Sequence, residues 1–316
     1  MSAEAELSAS RLQMFEEVIK GLRQPRKMIP SKFFYDERGS ELFEEITQLE
    51  EYYPTRTEAR ILEMHIEEIA DAVGGQSVIV ELGSGNSTKT RLLLDHITDI
   101  SAYVPVEISE KYLMKTVQSL KNEYPELTIK PVCADYTKPF QIPPIAKPFE
   151  YYVLFYPGST IGNFRPEQAR QFLDTISNLL ISGGGFLIGV DLKKDREIVE
   201  TAYNDAKGVT AEFNKNMLVR VNRELNADFD IDKFSHLAFY NEAEGRIEMH
   251  LVSESEQEVF LNGELIHFDK GETIHTENSY KYSLKEFEKL VSDWFEVEKV
   301  WTDDDELFSM QYLVKK

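Results

Sequence analysis

The sequence predicts an α/β fold: a doubly wound sheet with an antiparallel C-terminal hairpin, and a smaller α+β lobe inserted into it. Three observations predict it. Ser77-Val78-Ile79-Val80-Glu81-Leu82 is a β-branched, apolar run that ends at Gly83-Ser84-Gly85, the pattern of a strand buried on both faces that turns sharply into a helix. Strand-like and helix-like text then alternates as far as Asp191, the sign of a parallel sheet. Beyond Asp191 the pattern changes for roughly 85 residues, too long for a loop in a compact domain.

Taken in order, Leu12, Phe15, Val18, Ile19 and Leu22 stand at helical spacing over 9–23, and Pro25 ends that helix. The aromatic stretch from Pro30 to Asp36 leads to a short helix near Ser40 with Leu42, Phe43 and Ile46, broken by Glu51 to Glu58. These two aromatic clusters read either as packing or as a lid over a site. A helix over 57–73 leads into the glycine strand. After the turn, Ser87 is the expected N-cap of a helix carrying Leu92, Leu93, Leu94 and Ile97. Strand Tyr103-Val104-Pro105-Val106 ends at Glu107, a helix follows over 109–123, and a strand over 127–134 runs into Asp135-Tyr136. Strand 151–156 enters a second glycine loop, Pro157 to Phe164, and helix 165–181 and strand 186–191 complete the parallel part.

The insertion begins with helical text (Tyr203, Val209, Phe213, Leu218) and continues with alternating runs at Phe234–Tyr240, Arg246–Val252 and Glu258–Phe268, the last turned at Asn262-Gly263. Helix 283–292 and the hairpin Val297–Thr302 with Phe308–Val314 return to the sheet. The expected organisation is an N-terminal helical part of a substrate lobe at 1–56, a sheet domain at 57–196 and 283–316, and an inserted lobe at 197–282.

The bulk chemistry excludes several classes. With 35 Lys and Arg against 56 Asp and Glu, the net charge is −21, which repels nucleic acid and anionic membrane alike. A single cysteine, Cys133, rules out an intrachain disulfide, and the six histidines show no metal-ligand spacing, so no metal is expected. The polar, acidic N-terminus lacks the core of a signal peptide, and no apolar run reaches membrane-spanning length. A monomeric cytoplasmic protein is expected, and the sequon Asn86-Ser87-Thr88 reads as accidental.

The glycine turn admits a dinucleotide, S-adenosylmethionine (SAM) or no ligand at all. Three details favour SAM. Thr88 stands where a dinucleotide fingerprint would close on a third glycine, Glu81 lies just before the first glycine, and Glu107 ends the next strand about 20 residues on, where a carboxylate can accept ribose hydroxyls. Asp135 and Tyr136, at a strand's C-terminal end, are placed to bond an adenine amino group and stack on its ring. A nicotinamide-dependent oxidoreductase and a non-catalytic binding protein are the rivals from other classes.

Several motifs then lie in order: Lys32-Phe33-Phe34-Tyr35-Asp36, Tyr52 to Glu58, Glu81-Leu82-Gly83-Ser84-Gly85, Gly158-Ser159-Thr160-Ile161-Gly162-Asn163, Asn222-Arg223-Glu224-Leu225, Arg246-Ile247-Glu248-Met249 and His275 to Lys281. Together, over nearly the whole chain, they resemble the histidine Nα-methyltransferases of ergothioneine biosynthesis, the EgtD family. The resemblance implies a class I SAM-dependent methyltransferase that trimethylates L-histidine to hercynine. It implies a donor site of Gly83, Ser84, Gly85, Lys89, Glu107, Asp135 and Tyr136. It implies an amino-acid site of Tyr35, Tyr52, Gly158, Asn163, Tyr203, Met249, Glu277 and Ser279, with Asn163 and Tyr203 at the reacting amine and Glu277 and Ser279 at the imidazole. Glu107 and Tyr136 depart from the Asp and Phe of mycobacterial members, and Tyr156-Pro157 precedes the second glycine loop where Leu is familiar. The nearest rival is the same fold acting on another amino acid such as tryptophan. No strong general base is assigned, since a tyrosine with a pKa near 10 is a poor base at neutral pH.

Overall fold

The computed structural model describes residues 3–85 and 87–316, so Asn86 of the sequon lies outside the described residues. The chain divides into two compact units. The small unit comprises Met1–Tyr53 and Asp195–Ser279, and the sheet unit comprises Pro54–Lys194 and Tyr280–Lys316.

In chain order the elements are α1 (Ala3–Leu22), α2 (Glu37–Thr47), α3 (Tyr53–Met64), α4 (Ile66–Val73), β1 (Ser77–Leu82), α5 (Thr88–His96), β2 (Ala102–Glu107), α6 (Glu110–Glu123), β3 (Val132–Cys133) and β4 (Tyr151–Tyr156). There follow α7 (Pro166–Ser177), β5 (Gly185–Asp191), α8 (Arg196–Tyr203), α9 (Val209–Leu225), β6 (Phe234–Asn241), β7 (Arg246–Ser253), β8 (Gln257–Leu261), β9 (Glu264–Phe268), β10 (Thr273–Tyr280), α10 (Leu284–Val291), β11 (Phe295–Thr302) and β12 (Phe308–Lys315).

In the sheet unit the strands run in the order β11-β12-β5-β4-β1-β2-β3. The inner pairs are parallel, whereas β12 pairs antiparallel with both β5 and β11. This doubly wound order with a closing hairpin is that of the class I methyltransferases. Every residue of β1 is buried, because alternate side chains serve two cores. Val78, Val80 and Leu82 face Phe172, Leu173 and Ile176 of α7 and Phe287 and Val291 of α10. Ile79 joins Ile61 and Leu62 of α3, Leu93 of α5 and Leu113 and Val117 of α6. Each such side chain is worth about 1.5–3 kcal/mol when fully buried, which fixes β1 at the centre. The sheet reverses its winding between β4 and β2, so the turn after β1 opens at the position where such sheets hold ligands.

Three local expectations are corrected. The helix expected over 57–73 is two helices, α3 and α4, parted at His65, whose φ is −115°. The strand expected over 127–134 pairs only at Val132–Cys133, with a single bridge from Ile129 to Tyr103. Pro131 between them has no N–H to donate to the ladder. Ser87 occupies the N-cap position of α5 but does not cap it: its φ is +53°, and no side-chain cap bond forms. Its Oγ turns instead to Tyr103 Oη at 3.0 Å.

The small unit holds a three-stranded sheet in the order β10-β7-β6 and a β8-β9 hairpin, which turns at Asn262-Gly263 as expected. Helix α2 is capped by Asp36, whose Oδ1 accepts from Gly39 N at 2.7 Å, and it packs on α9. Among the described residues no helix is long and apolar enough to cross a membrane.

Candidate functional site

In the sheet unit, Gly83 has φ +74° and is exposed at the tip of the turn. A Cβ there would lie in van der Waals contact with the Tyr136 ring, 3.4 Å from Cε1, so it is the left-handed backbone rather than a clash that calls for glycine. Gly83 N and Ser84 N both donate to Val106 O, at 2.9 and 3.2 Å, which ties the turn to β2. Ser84 Oγ is buried and has no hydrogen-bond partner among the described residues. Glu107, at the end of β2, accepts from Ile108 N (2.9 Å) and Ser109 N (3.3 Å) through Oε1. Among the described residues its Oε2 has one long contact, 3.5 Å from Gly85 N, and so keeps the capacity to accept from hydroxyls. Asp135 is held in shape by Thr137, whose N and Oγ1 donate to Oδ1 at 3.1 and 2.5 Å. The Tyr136 ring meets Tyr156 edge-on at 5.6 Å and Phe172 at 6.1 Å. Burial pushes its phenol up to about 12, so it is a neutral platform.

These residues fit an adenosine-bearing ligand. An orphaned hydroxyl, an open glycine crook and a carboxylate with spare acceptor capacity are what a ribose and its attached chain require. Lys89 is placed differently from its neighbours. Its Nζ pairs with the carboxylate of Glu58 on α3, and Gly158 N donates to both oxygens of the same carboxylate, at 2.8 and 3.0 Å. Glu58, within a motif that the sequence displays, is thus a residue that pattern reasoning left without a role. Gly158 has φ +80°, and the loop continues through a 3-10 turn, Thr160–Asn163. Asn163 ends that turn half-buried.

Under the crook, Glu81 is an interior acid rather than a ligand of the turn. It is 2% exposed, accepts from Tyr103 Oη, and burial raises its pKa to about 7.

In the small unit, Tyr203 at the end of α8 donates to Ser279 Oγ on β10 at 2.8 Å; both side chains are buried. The Tyr52 ring meets Tyr203 at 6.1 Å, Phe43 lies 6.3 Å from Tyr52 and 5.7 Å from Tyr35, and Phe213 lies 5.8 Å from Tyr35. Four predicted site residues, Tyr35, Tyr52, Tyr203 and Ser279, therefore belong to one aromatic and hydroxyl cluster. Met249 is buried on β7, and its carbonyl accepts from Thr276 Oγ1 at 3.0 Å. Glu277 is half-buried two residues before Ser279, with its carbonyl 2.9 Å from His275 Nε2.

Sequence spacing also missed a cluster of Glu248, His250 and His275, whose ligand-type atoms lie within 4.8 Å of one another. The pairing of β7 with β10 assembles it, which intervals along the chain do not display. Glu248 accepts from Arg246 (2.7 Å), Asn241 (2.9 Å) and His250 (3.1 Å), and despite burial these donors hold it down to about 2. His250 stacks between Phe239 at 5.5 Å and His275 at 4.6 Å. Burial lowers His275 to about 4, so it is neutral near pH 7. Stacked rings hold their in-plane lone pairs side by side rather than aimed at one point, and the carboxylate is already engaged, so we assign no metal here.

Residues 14–315 match the family described as histidine-specific methyltransferase, SAM-dependent. The chain is 39% identical over 315 residues to a histidine N-alpha-methyltransferase of Mycobacterium tuberculosis, covering 97% of this chain and 96% of that protein. It is 43% identical to one from Mycolicibacterium smegmatis, over 84% of this chain and 83% of the other. It is 30% identical to ergothioneine biosynthesis protein 1 of Schizosaccharomyces pombe, over 84% of this chain and 36% of that longer protein.

Proposed function

The chain belongs to the family of SAM-dependent, histidine-specific methyltransferases, and we propose that it trimethylates the α-nitrogen of L-histidine to hercynine, the first step of ergothioneine biosynthesis. SAM supplies an activated methyl group to a neutral amine. The protein's share is to hold and orient, since effective positioning alone accounts for much of such a rate. In the sheet unit, Gly83, Ser84, Gly85, Glu107, Asp135 and Tyr136 hold the donor, Lys89 supports them, and Gly158 and Asn163 serve the amino acid. In the small unit, Tyr203 and Tyr52 bind the polar end of histidine, Tyr35 and Met249 shape the surroundings, and Glu277 and Ser279 recognise the imidazole.

One observation carries the choice of a polar ring as substrate. The Tyr203–Ser279 hydroxyl pair is buried, and a carboxylate, Glu277, lies two residues away on the same strand. An imidazole N–H and its ring nitrogen can satisfy such groups, whereas an indole offers one donor and no acceptor. The residues at 1–56 and 197–282 are read as the substrate lobe, and those at 57–196 and 283–316 as the methyltransferase domain. The net charge of −21 supports a monomer acting on a free amino acid rather than on nucleic acid or at an anionic membrane, and the cytoplasm is the proposed compartment. Mass spectrometry of histidine incubated with the protein and SAM tests the reading. Three added methyl groups on the α-nitrogen are expected; unmodified histidine with a folded preparation, or equal turnover of tryptophan, overturns it.

A further inference from the structure

Glu58 is completely buried on α3, yet it carries a carboxylate that no expected role uses. A buried carboxylate is costly unless its oxygens are engaged. Here they are engaged by two segments far apart in sequence, Lys89 on the helix after the first glycine turn and Gly158 N in the second glycine loop. The fold also makes room for it. A Cβ on Gly189 of β5 would lie 2.0 Å from Glu58 Oε1, so a side chain larger than hydrogen at 189 would displace the carboxylate. Ser159, next in the loop, accepts from Asp191 N through Oγ at 2.9 Å, so the loop is fastened to β5 as well.

We propose that Glu58 is a positioning residue for methyl transfer: its buried carboxylate holds Lys89 and the Gly158 loop in one fixed relation, so that donor binding and amino-acid binding are coupled through it. Satisfying Gly158 N internally leaves that residue's carbonyl as the group it can offer to an amine. Pairing with Lys89 balances the charge of an ammonium carried on the first turn of α5, the helix that follows the donor turn. This rests on the reading of Gly158 as part of the amino-acid site.

The experiment compares wild type with Glu58→Gln, Lys89→Met and the double variant Glu58→Gln/Lys89→Met. Histidine affinity is measured by calorimetry with and without saturating S-adenosylhomocysteine, alongside kcat, KM and thermal midpoint. In wild type the donor product should tighten histidine binding by a factor within the usual range of about 5–150. Glutamine keeps an acceptor for Gly158 N but turns an amide donor toward Lys89. Glu58→Gln should therefore bring the coupling factor close to one and lower kcat about tenfold or more, with a smaller change in histidine KM. The double variant removes the unpaired, partly buried ammonium and so regains thermal stability, but its coupling should stay lost. Wild-type coupling and kcat in either Glu58 variant, whatever happens to its melting, overturns the proposal and leaves Glu58 a purely structural acid. Failure of wild type itself to methylate histidine would strike the functional reading instead, and is distinguished by that first measurement.

Discussion

The two units solve their binding problems in different ways. In the sheet unit the donor-side residues sit within a few positions of three strand ends, Leu82, Glu107 and Cys133, and much of what they offer is backbone: a positive-φ turn and amides tied to the next strand. In the small unit, Tyr35, Tyr52, Tyr203 and Ser279 come from four separated segments and meet through ring contacts and one hydroxyl pair. A backbone cradle suits a ligand common to many enzymes, and a mosaic of side chains suits the selection of one substrate. The units also keep buried charge in opposite ways: Glu81 is held as the neutral acid at the pH where ordinary carboxylates ionise, and His275 as the neutral base where ordinary imidazoles protonate.

The largest effect that sharpens this contrast is expected at Glu277. Glu277→Ala should lower kcat/KM for histidine by about 100-fold or more while changing any residual tryptophan activity only a few-fold, because it removes the carboxylate partner of the ring for which the site is proposed to be built. Glu107→Ala, on the donor side, should weaken S-adenosylhomocysteine about tenfold and leave binary histidine binding alone. Steady-state kinetics with both amino acids, paired with calorimetry, gives both numbers. Equal losses for histidine and tryptophan in the first variant would break the division of labour between the units.

Stability against pH comes next. Glu81 has a folded pKa of about 7 against an ordinary 4.5, so it contributes most below pH 4.5, and that contribution is lost as pH rises to about 7. The span of 2.5 units sets a ceiling of about 3 kcal/mol. His275 is the reverse: its folded value of about 4 lies below 6.5, so its contribution is complete above pH 6.5 and is lost as pH falls toward 4. Being less buried than Glu81, it is expected to be worth about 2 kcal/mol. Denaturant titrations from pH 4 to 8 should show Glu81→Gln gaining on wild type as pH rises, and His275→Gln gaining as pH falls. Parallel pH curves for the two variants would mean that the units do not store charge as described.

What was legible in the sequence follows the same divide. The parallel strands, the glycine turn and the closing hairpin are local patterns, and β1, β4, β5 and β12 lie where alternation and apolar runs put them. The roles of Tyr52, Tyr203, Met249, Glu277 and Ser279 came only through resemblance, since nothing in spacing marks one tyrosine among 15 or one acid among 56. Glu58 and the Glu248, His250 and His275 cluster went unread because their meaning lies in what packs on them across the fold. His65 illustrates the limit at fine scale: it splits one expected helix in two without a proline or glycine to announce it.

The smallest effect tests that limit at the helix caps. Asp36 in the small unit accepts from Gly39 N at the start of α2, and also from Asn216 (2.8 Å) and Arg223 (2.6 Å), which together hold its pKa down despite burial. Asp36→Ala should cost about 1–2 kcal/mol, the ordinary worth of a cap, with the stranded partners adding to it. Ser87 in the sheet unit reads as the same kind of residue, yet its backbone is left-handed and its hydroxyl is turned to Tyr103. Glycine at 87 would relieve the positive φ by about 1 kcal/mol and lose a hydroxyl whose single proton is shared between Tyr103 Oη and Ser84 O, worth about the same. The two terms oppose, so Ser87→Gly should unfold within about 0.5 kcal/mol of wild type in urea. A loss as large as that of Asp36→Ala would mean that Ser87 caps α5 after all, and that the donor turn depends on its side chains as much as on its backbone.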